Sequence, residues 1–214
     1  MSRTEQSLNI PGRVVVFDYG EVLSMSPSEH DKNALLGVAE AEADAFWPAY
    51  WRHRDVLDHG MITIPEYWAR VGADLGLEFG PARVQQLWAA DIRSWISVEP
   101  GSIEILHELY TGGTRLALLS NAGFDFGDPF RRAPFARYFE QVFVSAELGL
   151  LKPDPAIYRH VARELGIEPA EMVFVDNKKV NVEGAESIGV TGHHFTGVPE
   201  LRAFLTALAD DAVA

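Results

Sequence analysis

Five short β-rich runs stand out along the chain, the first four almost continuously apolar: RVVVFD (13–18), RLALLS (115–120), QVFVS (141–145), MVFVD (172–176) and VTGHHF (190–195). The first four do not alternate polar with apolar positions. That is the pattern of strands buried on both faces, as in a parallel sheet covered by helices. Between the later runs the period becomes helical. GSIEILHELY (101–110) places apolar residues at 103, 105, 106 and 109. PAIYRHVARELG (155–166) places them at 156, 157, 161, 162 and 165, and Gly166 stands where a helix stops. VEGAESIG (182–189) also ends in glycine, and VPELRAFLTALADD (198–211) reads as a last amphipathic helix. Strand–helix alternation of this kind predicts an α/β fold: a parallel five-strand sheet flanked by helices and joined by right-handed crossovers.

One segment breaks the alternation. From Ser24 to Val98 no convincing strand is found, and the signals are helical. Ser26-Pro27-Ser28-Glu29 reads as N-cap, N1 proline and N3 glutamate, and Thr63-Ile64-Pro65-Glu66 repeats the pattern. All five tryptophans (Trp47, Trp51, Trp68, Trp88 and Trp95) fall in this segment. They are expected to form mostly the core of a small helical unit; in a second reading, one or two line a pocket. The expected division is therefore a core of residues 1–23 and 99–214 with an all-helical insertion over 24–98. There is no internal repeat and no low-complexity tract.

Composition narrows the function. The chain has 214 residues, 47% hydrophobic and 23% charged, enough to bury a proper core. Its formal net charge of −13 opposes a nucleic-acid partner or an anionic membrane surface, while leaving room for a small anionic substrate in a locally positive site. The absence of cysteine removes disulfides, thiolate zinc, iron–sulfur clusters and a cysteine nucleophile. The start, MSRTEQSLNIPGR, has no apolar core of a signal peptide, and no apolar run approaches the roughly 18 residues of a membrane span. A soluble cytoplasmic protein is expected, as monomer or homodimer.

Polar groups gather at strand ends. Asp18 ends the first run, Ser120-Asn121 the second, and Asp176-Asn177 the fourth, while Lys152 follows the third within GLLKPDP. One polar residue at a strand end reads equally as a turn former or a helix cap. Four in succession point to the sheet edge where ligands of open α/β folds bind. Two carboxylates with backbone oxygens suit Mg²⁺. A hydroxyl, an amide and an ammonium suit phosphate oxygens. A carboxylate between them could attack phosphorus.

Read in order, VVVFDYGEVL, LLSNA, GLLKPDPAIY and MVFVDNKKVNVEGAESIGV resemble the four motifs of the haloacid dehalogenase-like superfamily of hydrolases. The similarity spans nearly the whole chain, in the branch with a helical cap inserted after the first motif. It implies a Rossmann-like core. It also implies Asp18 as nucleophile, with Asp18, the Gly20 carbonyl and Asp176 holding Mg²⁺. Ser120 and the Asn121 backbone would bind the phosphoryl group, and Lys152 would stabilise it. Asn181 matches a position that supports the fourth-motif loop; a helix cap is its other reading.

Two positions depart from the family pattern. Most of its phosphatases carry Asp-x-Asp in the first motif, the second aspartate protonating the leaving oxygen; here that position is Gly20. The fourth motif reads Asp176-Asn177 in place of Asp-Asp. Three readings stay open. The first is an Mg²⁺-dependent phosphohydrolase of small phosphorylated metabolites such as sugar phosphates, its acid supplied by Glu21, a cap residue or a bound water, or made unnecessary by a good leaving group. The second is a weakened binding or regulatory protein on the same scaffold, and the third a metal-independent 2-haloacid dehalogenase. Arg52 and His53 could contact a sugar or a second anion, or form a solvated helix face. The His193-His194 pair lacks a third metal ligand at useful spacing. GxSxG, GxxxxGK and GxGxxG are absent, which leaves serine-hydrolase, P-loop and dinucleotide chemistry without support.

Overall fold

A computed structural model describes residues 7–211. The first six residues of the polar start and the last three of the chain lie outside that range. Strands β1 (Val14–Phe17), β2 (Arg115–Ser120), β3 (Gln141–Val144), β4 (Met172–Asp176) and β5 (Thr191–His194) pair in parallel, in the order β3-β2-β1-β4-β5. All five match the apolar runs to within a residue or so at each end. The central strands are continuous in sequence because both faces are covered. Val15, Phe17, Leu118 and Val175 pack on one side of the sheet, and Val16, Leu119 and Phe174 on the other.

Between β1 and β2 the chain enters a helical insertion. Its helices are α1 (Glu29–Ala39), α2 (Ala43–Arg52), α3 (Arg54–Asp58), α4 (Ile64–Asp74) and α5 (Pro81–Ser94). The insertion leaves and rejoins the sheet through neighbouring segments: Ser24 and Val98 form an antiparallel bridge, and Met25 N–H donates to the Ser97 carbonyl at 2.7 Å. Thr63 starts α4 with the capping box read from the sequence. The first cap lies two residues later than expected. Ser28, not Ser26, caps α1, its hydroxyl accepting from Asp31 N–H at 3.2 Å. The Ser26 hydroxyl instead donates to Glu21 at 2.6 Å.

The tryptophans also differ from the expectation of a mostly core role. Trp68 is fully buried with Phe46, Tyr50 and Tyr67, whereas Trp51 is 52% and Trp88 36% exposed. The insertion touches the sheet domain away from its two connecting segments as well. Ser145 Oγ donates to the Asp58 carbonyl at 2.5 Å, and Trp88 Nε1 to Asp125 at 2.7 Å.

The remaining helices are α6 (Pro100–Thr111), α7 (Gly127–Arg132), α8 (Ser145–Leu148), α9 (Pro155–Leu165), α10 (Lys179–Glu186) and α11 (Val198–Asp211). Helices α6 and α11 cover the Phe17 side of the sheet, and α9 and α10 the Phe174 side. Gly166, in left-handed conformation at φ 67°, ends α9 as read. Helix α10 begins and ends three residues before the expected span of 182–189, which places Asn181 inside its first turn. Residues 124–138 carry short helical turns without a readable period, yet their Phe126, Phe130, Phe135 and Tyr138 are buried against β1 and its neighbours.

Gly184 lets α10 lie against the segment that follows Lys152, since a Cβ there would overlap the Pro153 carbonyl oxygen. Gly184→Ala should therefore destabilise the protein by about 1–3 kcal/mol, as other overpacked contacts do. Urea denaturation would show it as a lower midpoint at unchanged slope; an unmoved midpoint would mean that α10 has slack.

Candidate active site

Register brings the two aspartates together. Phe17 pairs with Val175, so the residues that follow them, Asp18 and Asp176, leave adjacent strands side by side. The backbone keeps the pairing one step further, with Asp18 N–H donating to the Val175 carbonyl at 2.8 Å. From β1 the chain builds outward to β2 and β3, then returns to build β4 and β5 on the other side. The reversal opens a crevice beyond the carboxyl ends of the strands.

Lys152 lies between the two carboxylates. Its Nζ is 2.7 Å from Asp18 Oδ1, 2.7 Å from Asp176 Oδ2 and 3.1 Å from the Leu119 carbonyl. All three ammonium donors are thus used. Burial works to lower the Lys152 pKa, but Asp176 and Asp18 outweigh it and hold the group above its ordinary value. Burial pushes Asp18 up to about 6, with Lys152 opposing and Asp176 adding to the rise. Asp176, with no exposure, also accepts from Lys178 N–H at 2.7 Å and from Asn181 Nδ2 at 3.1 and 3.0 Å. Tyr158 fixes Asn181 in turn, its hydroxyl donating to the Asn181 carbonyl at 2.7 Å. Asn181 therefore supports the Asp176 carboxylate; the N-cap of α10 is Lys178.

Ser120 and Asn121 line the same crevice at the end of β2. The Asn121 side chain has a task that the sequence did not reveal. It donates to the Lys152 carbonyl and accepts from Lys152 N–H, each at 2.9 Å, clamping the lysine's backbone. Glu21 is held in left-handed conformation at φ 56°. Its carboxylate accepts from Ser26 Oγ at 2.6 Å and Asn177 Nδ2 at 2.7 Å, which ties the β1 turn to the end of β4 and to the entry of the insertion. Gly20 is not forced by sterics. Its φ lies outside the left-handed region, and a Cβ would meet only the Trp95 ring, at 3.8 Å.

The crevice opens into a cavity of about 520 Å³ between the strand ends and the insertion. Arg52 and His53 do not line it; both bind Asp74 on the surface, at 3.0 and 2.9 Å. The arginine that does reach the cavity is Arg54, which bonds Asp91 at 2.7 Å, the Tyr50 hydroxyl at 2.8 Å and Asp58 at 3.2 Å. One guanidinium thus serves two buried carboxylates, and Asp91 holds it more closely. Burial pushes Asp58 up to about 7, Arg54 opposing and Asp91 adding.

The donor set at the strand ends fits Mg²⁺. Asp18, Asp176 and the Gly20 carbonyl are hard oxygens, and two carboxylates against one ammonium leave a net negative charge for a divalent cation. Among the described residues no group of three or more His, Cys, Asp or Glu side chains is placed to hold a metal. A cation here would complete its shell with backbone, phosphate or water oxygens. The His193-His194 pair is split: His193 stacks on Phe204 with ring centroids 4.4 Å apart, and His194 bonds the Asn177 carbonyl.

Residues 13–189 match the model of the haloacid dehalogenase-like hydrolases. The chain belongs to that family. Among its relatives is the sesquiterpene phosphatase of Aspergillus oryzae, 24% identical over 86% of this chain and 90% of the relative. The glyceraldehyde 3-phosphate phosphatase of Methanopyrus kandleri is 27% identical over 83% of this chain and 81% of its own. A haloacid dehalogenase family enzyme of Bacteroides thetaiotaomicron, crystallised with magnesium and inorganic phosphate, superposes with a TM-score of 0.66 at 21% identity, covering 85% of this chain and 92% of that one. The five-strand parallel core expected from the sequence is the fold of this family. Among the described residues, no helix is long and apolar enough to cross a membrane.

The Asp58 carboxyl gives a pH test with a defined sign. It stays neutral in the folded protein up to about pH 7, whereas an unfolded aspartate ionises above about 3.9. Folding takes up a proton between those limits, so this group's contribution falls as pH rises. The stability of the native protein relative to Asp58→Asn should fall with rising pH between about 4 and 7, by up to about 1.4 kcal/mol per unit. Urea titrations across that range measure it; a flat difference would mean that Arg54 keeps Asp58 ionised.

Proposed function

We propose that this protein is an Mg²⁺-dependent phosphohydrolase of small phosphorylated metabolites, with the helical insertion acting as a cap over the cavity. The carrying observation is the Lys152 ammonium held 2.7 Å from each of two buried aspartates at adjacent strand ends. The phosphoryl group would lodge between Lys152, Ser120 and the Asn121 backbone. An Asp18 oxygen then attacks phosphorus, the bond from phosphorus to the leaving oxygen breaks, and an aspartyl-phosphate remains on Asp18. Water attacks that phosphorus, returns the carboxylate and releases inorganic phosphate. Mg²⁺, held by Asp18, Asp176 and the Gly20 carbonyl, would supply positive charge where nucleophile and substrate are both anionic. Lys152 lowers the same repulsion from the other side, and Asn181 and the Lys178 N–H keep Asp176 oriented. Relatives that are phosphatases of small phosphorylated compounds support the reaction class.

A binding-protein reading draws support from one observation, the missing side chain at Gly20. Phosphate release over a panel of phosphate esters, with and without Mg²⁺, separates the two. Release that needs Mg²⁺ is expected; no release from any ester by well-folded protein would favour the binding protein. Halide release from chloroacetate without Mg²⁺ would mark a dehalogenase instead.

Two substitutions test the roles. Asp18→Asn should lower turnover by about 10³-fold or more, as loss of a covalent nucleophile does, with an unaltered circular dichroism spectrum; retained turnover would sink the nucleophile assignment. A Cβ at position 20 meets only Trp95, at 3.8 Å, so Gly20→Asp is sterically open at its first atom. It should raise turnover of alkyl phosphates by roughly 10²–10⁴-fold, the usual contribution of a general acid. An unchanged rate would place a working acid elsewhere in the cavity.

A further inference from the structure

The cavity wall contributed by the insertion has an unusual surface for a site that must hold an anion. Helix α2 carries Trp47, Tyr50 and Trp51 at spacings of three and four, so the three rings share one face, and all line the cavity. They fix one another edge to face: Trp47 and Tyr50 at 5.6 Å and 76°, Tyr50 and Trp51 at 4.8 Å and 88°. Trp51 nevertheless remains 52% exposed. Tyr19 and Phe126 line the cavity from the side of the sheet, and Trp95 from the end of α5.

Charge on the insertion's wall bears on the substrate class. The Arg54 guanidinium gives its Nε and Nη1 hydrogens to Asp58, Asp91 and the Tyr50 hydroxyl, and the carboxylate of Asp91 offsets its charge. Lys32 is paired with Glu29 at 2.8 Å, and Asp55 also lines the wall. A second phosphate or a carboxylate on the substrate would find no net positive charge there. An uncharged flat ring would instead find aromatic faces, which stack offset or edge-on.

The strand end bears independently on the leaving group. With no carboxylate at Gly20, the departing oxygen leaves without a proton from that position. A phenolate, whose parent acid has a pKa of about 10 as in tyrosine, leaves in this way far more readily than an alkoxide.

We propose that the site takes aryl phosphate monoesters, the phosphate at Asp18 and Lys152 and an uncharged ring against Trp47 and Trp51. This rests on the phosphohydrolase reading. In the reaction the Asp18 oxygen bonds to phosphorus as the aryl oxygen departs with the electron pair and takes a proton from solvent. Water then cleaves the acyl phosphate, giving inorganic phosphate and freeing Asp18.

The test compares 1-naphthyl phosphate with acetyl phosphate, which has a good leaving group and no ring, on the full chain with Mg²⁺. The quantity read is the ratio of their kcat/KM values. Trp51→Ala should lower it about tenfold, the loss of roughly one aromatic contact, while Trp51→Phe keeps it within about twofold of the native ratio. Because Trp51 is half exposed, the alanine variant should fold; Trp47→Ala provides a second reading of the same ratio. An unchanged ratio in both alanine variants overturns the proposal. So does turnover of acetyl phosphate with none of 1-naphthyl phosphate, which leaves the phosphohydrolase reading standing. Turnover of neither compound removes that reading and the inference together.

Discussion

Two carboxylates on neighbouring strands, both shielded from water, repel one another and resist ionisation. One ammonium resolves the conflict. Lys152 reaches Asp18, Asp176 and the Leu119 carbonyl with its three donors, and much of the surrounding structure serves to keep it there. Asn121 grips its backbone from the end of β2. Gly184 allows α10 to close against the following turn, and Asn181 holds the second carboxylate to face it. Removing one partner of such a cluster leaves a buried charge without compensation, which typically costs about 3–5 kcal/mol. The demands of ligand chemistry and of folding therefore fall on the same atoms.

Much of this could be read from the chain because strand ends have fixed places. An apolar run that stops at an aspartate puts that aspartate at the edge of the sheet, and parallel pairing puts the next strand's aspartate beside it. Helices with a full period, such as α9 and α11, were equally legible. Where the period was short or broken, the reading slipped. Helix α10 was displaced by three residues because its start depends on a turn around Asp176 that is tertiary, not periodic. Ser26 reads as a cap by local pattern, but its hydroxyl is drawn to Glu21. The tryptophans were weighed by composition, and composition cannot tell a ring facing a helix core from one facing a cavity.

The contacts that needed three dimensions span long distances in sequence. Asn177 meets Glu21 across 156 positions, Ser145 meets Asp58 across 87, and Arg54 meets Asp91 across 37. No spacing rule announces such pairs. Glu21 is the instructive case. Its place beside Asp18 suggests an acid, yet its carboxylate is spent on closing a left-handed turn between β1, β4 and the insertion.

The arrangement of α2 carries an evolutionary consequence. The groups that would handle phosphate sit on four separate segments tied to the sheet, and each is constrained by its neighbours. The face that would meet the rest of the substrate comes largely from one helical turn, residues 47 to 51, and its outermost ring is only half packed. Substitution of that outermost ring is cheap in stability and leaves the strand-end carboxylates untouched. Descendants of this chain could explore new substrates through two or three changes on α2 while inheriting the anion-handling end intact.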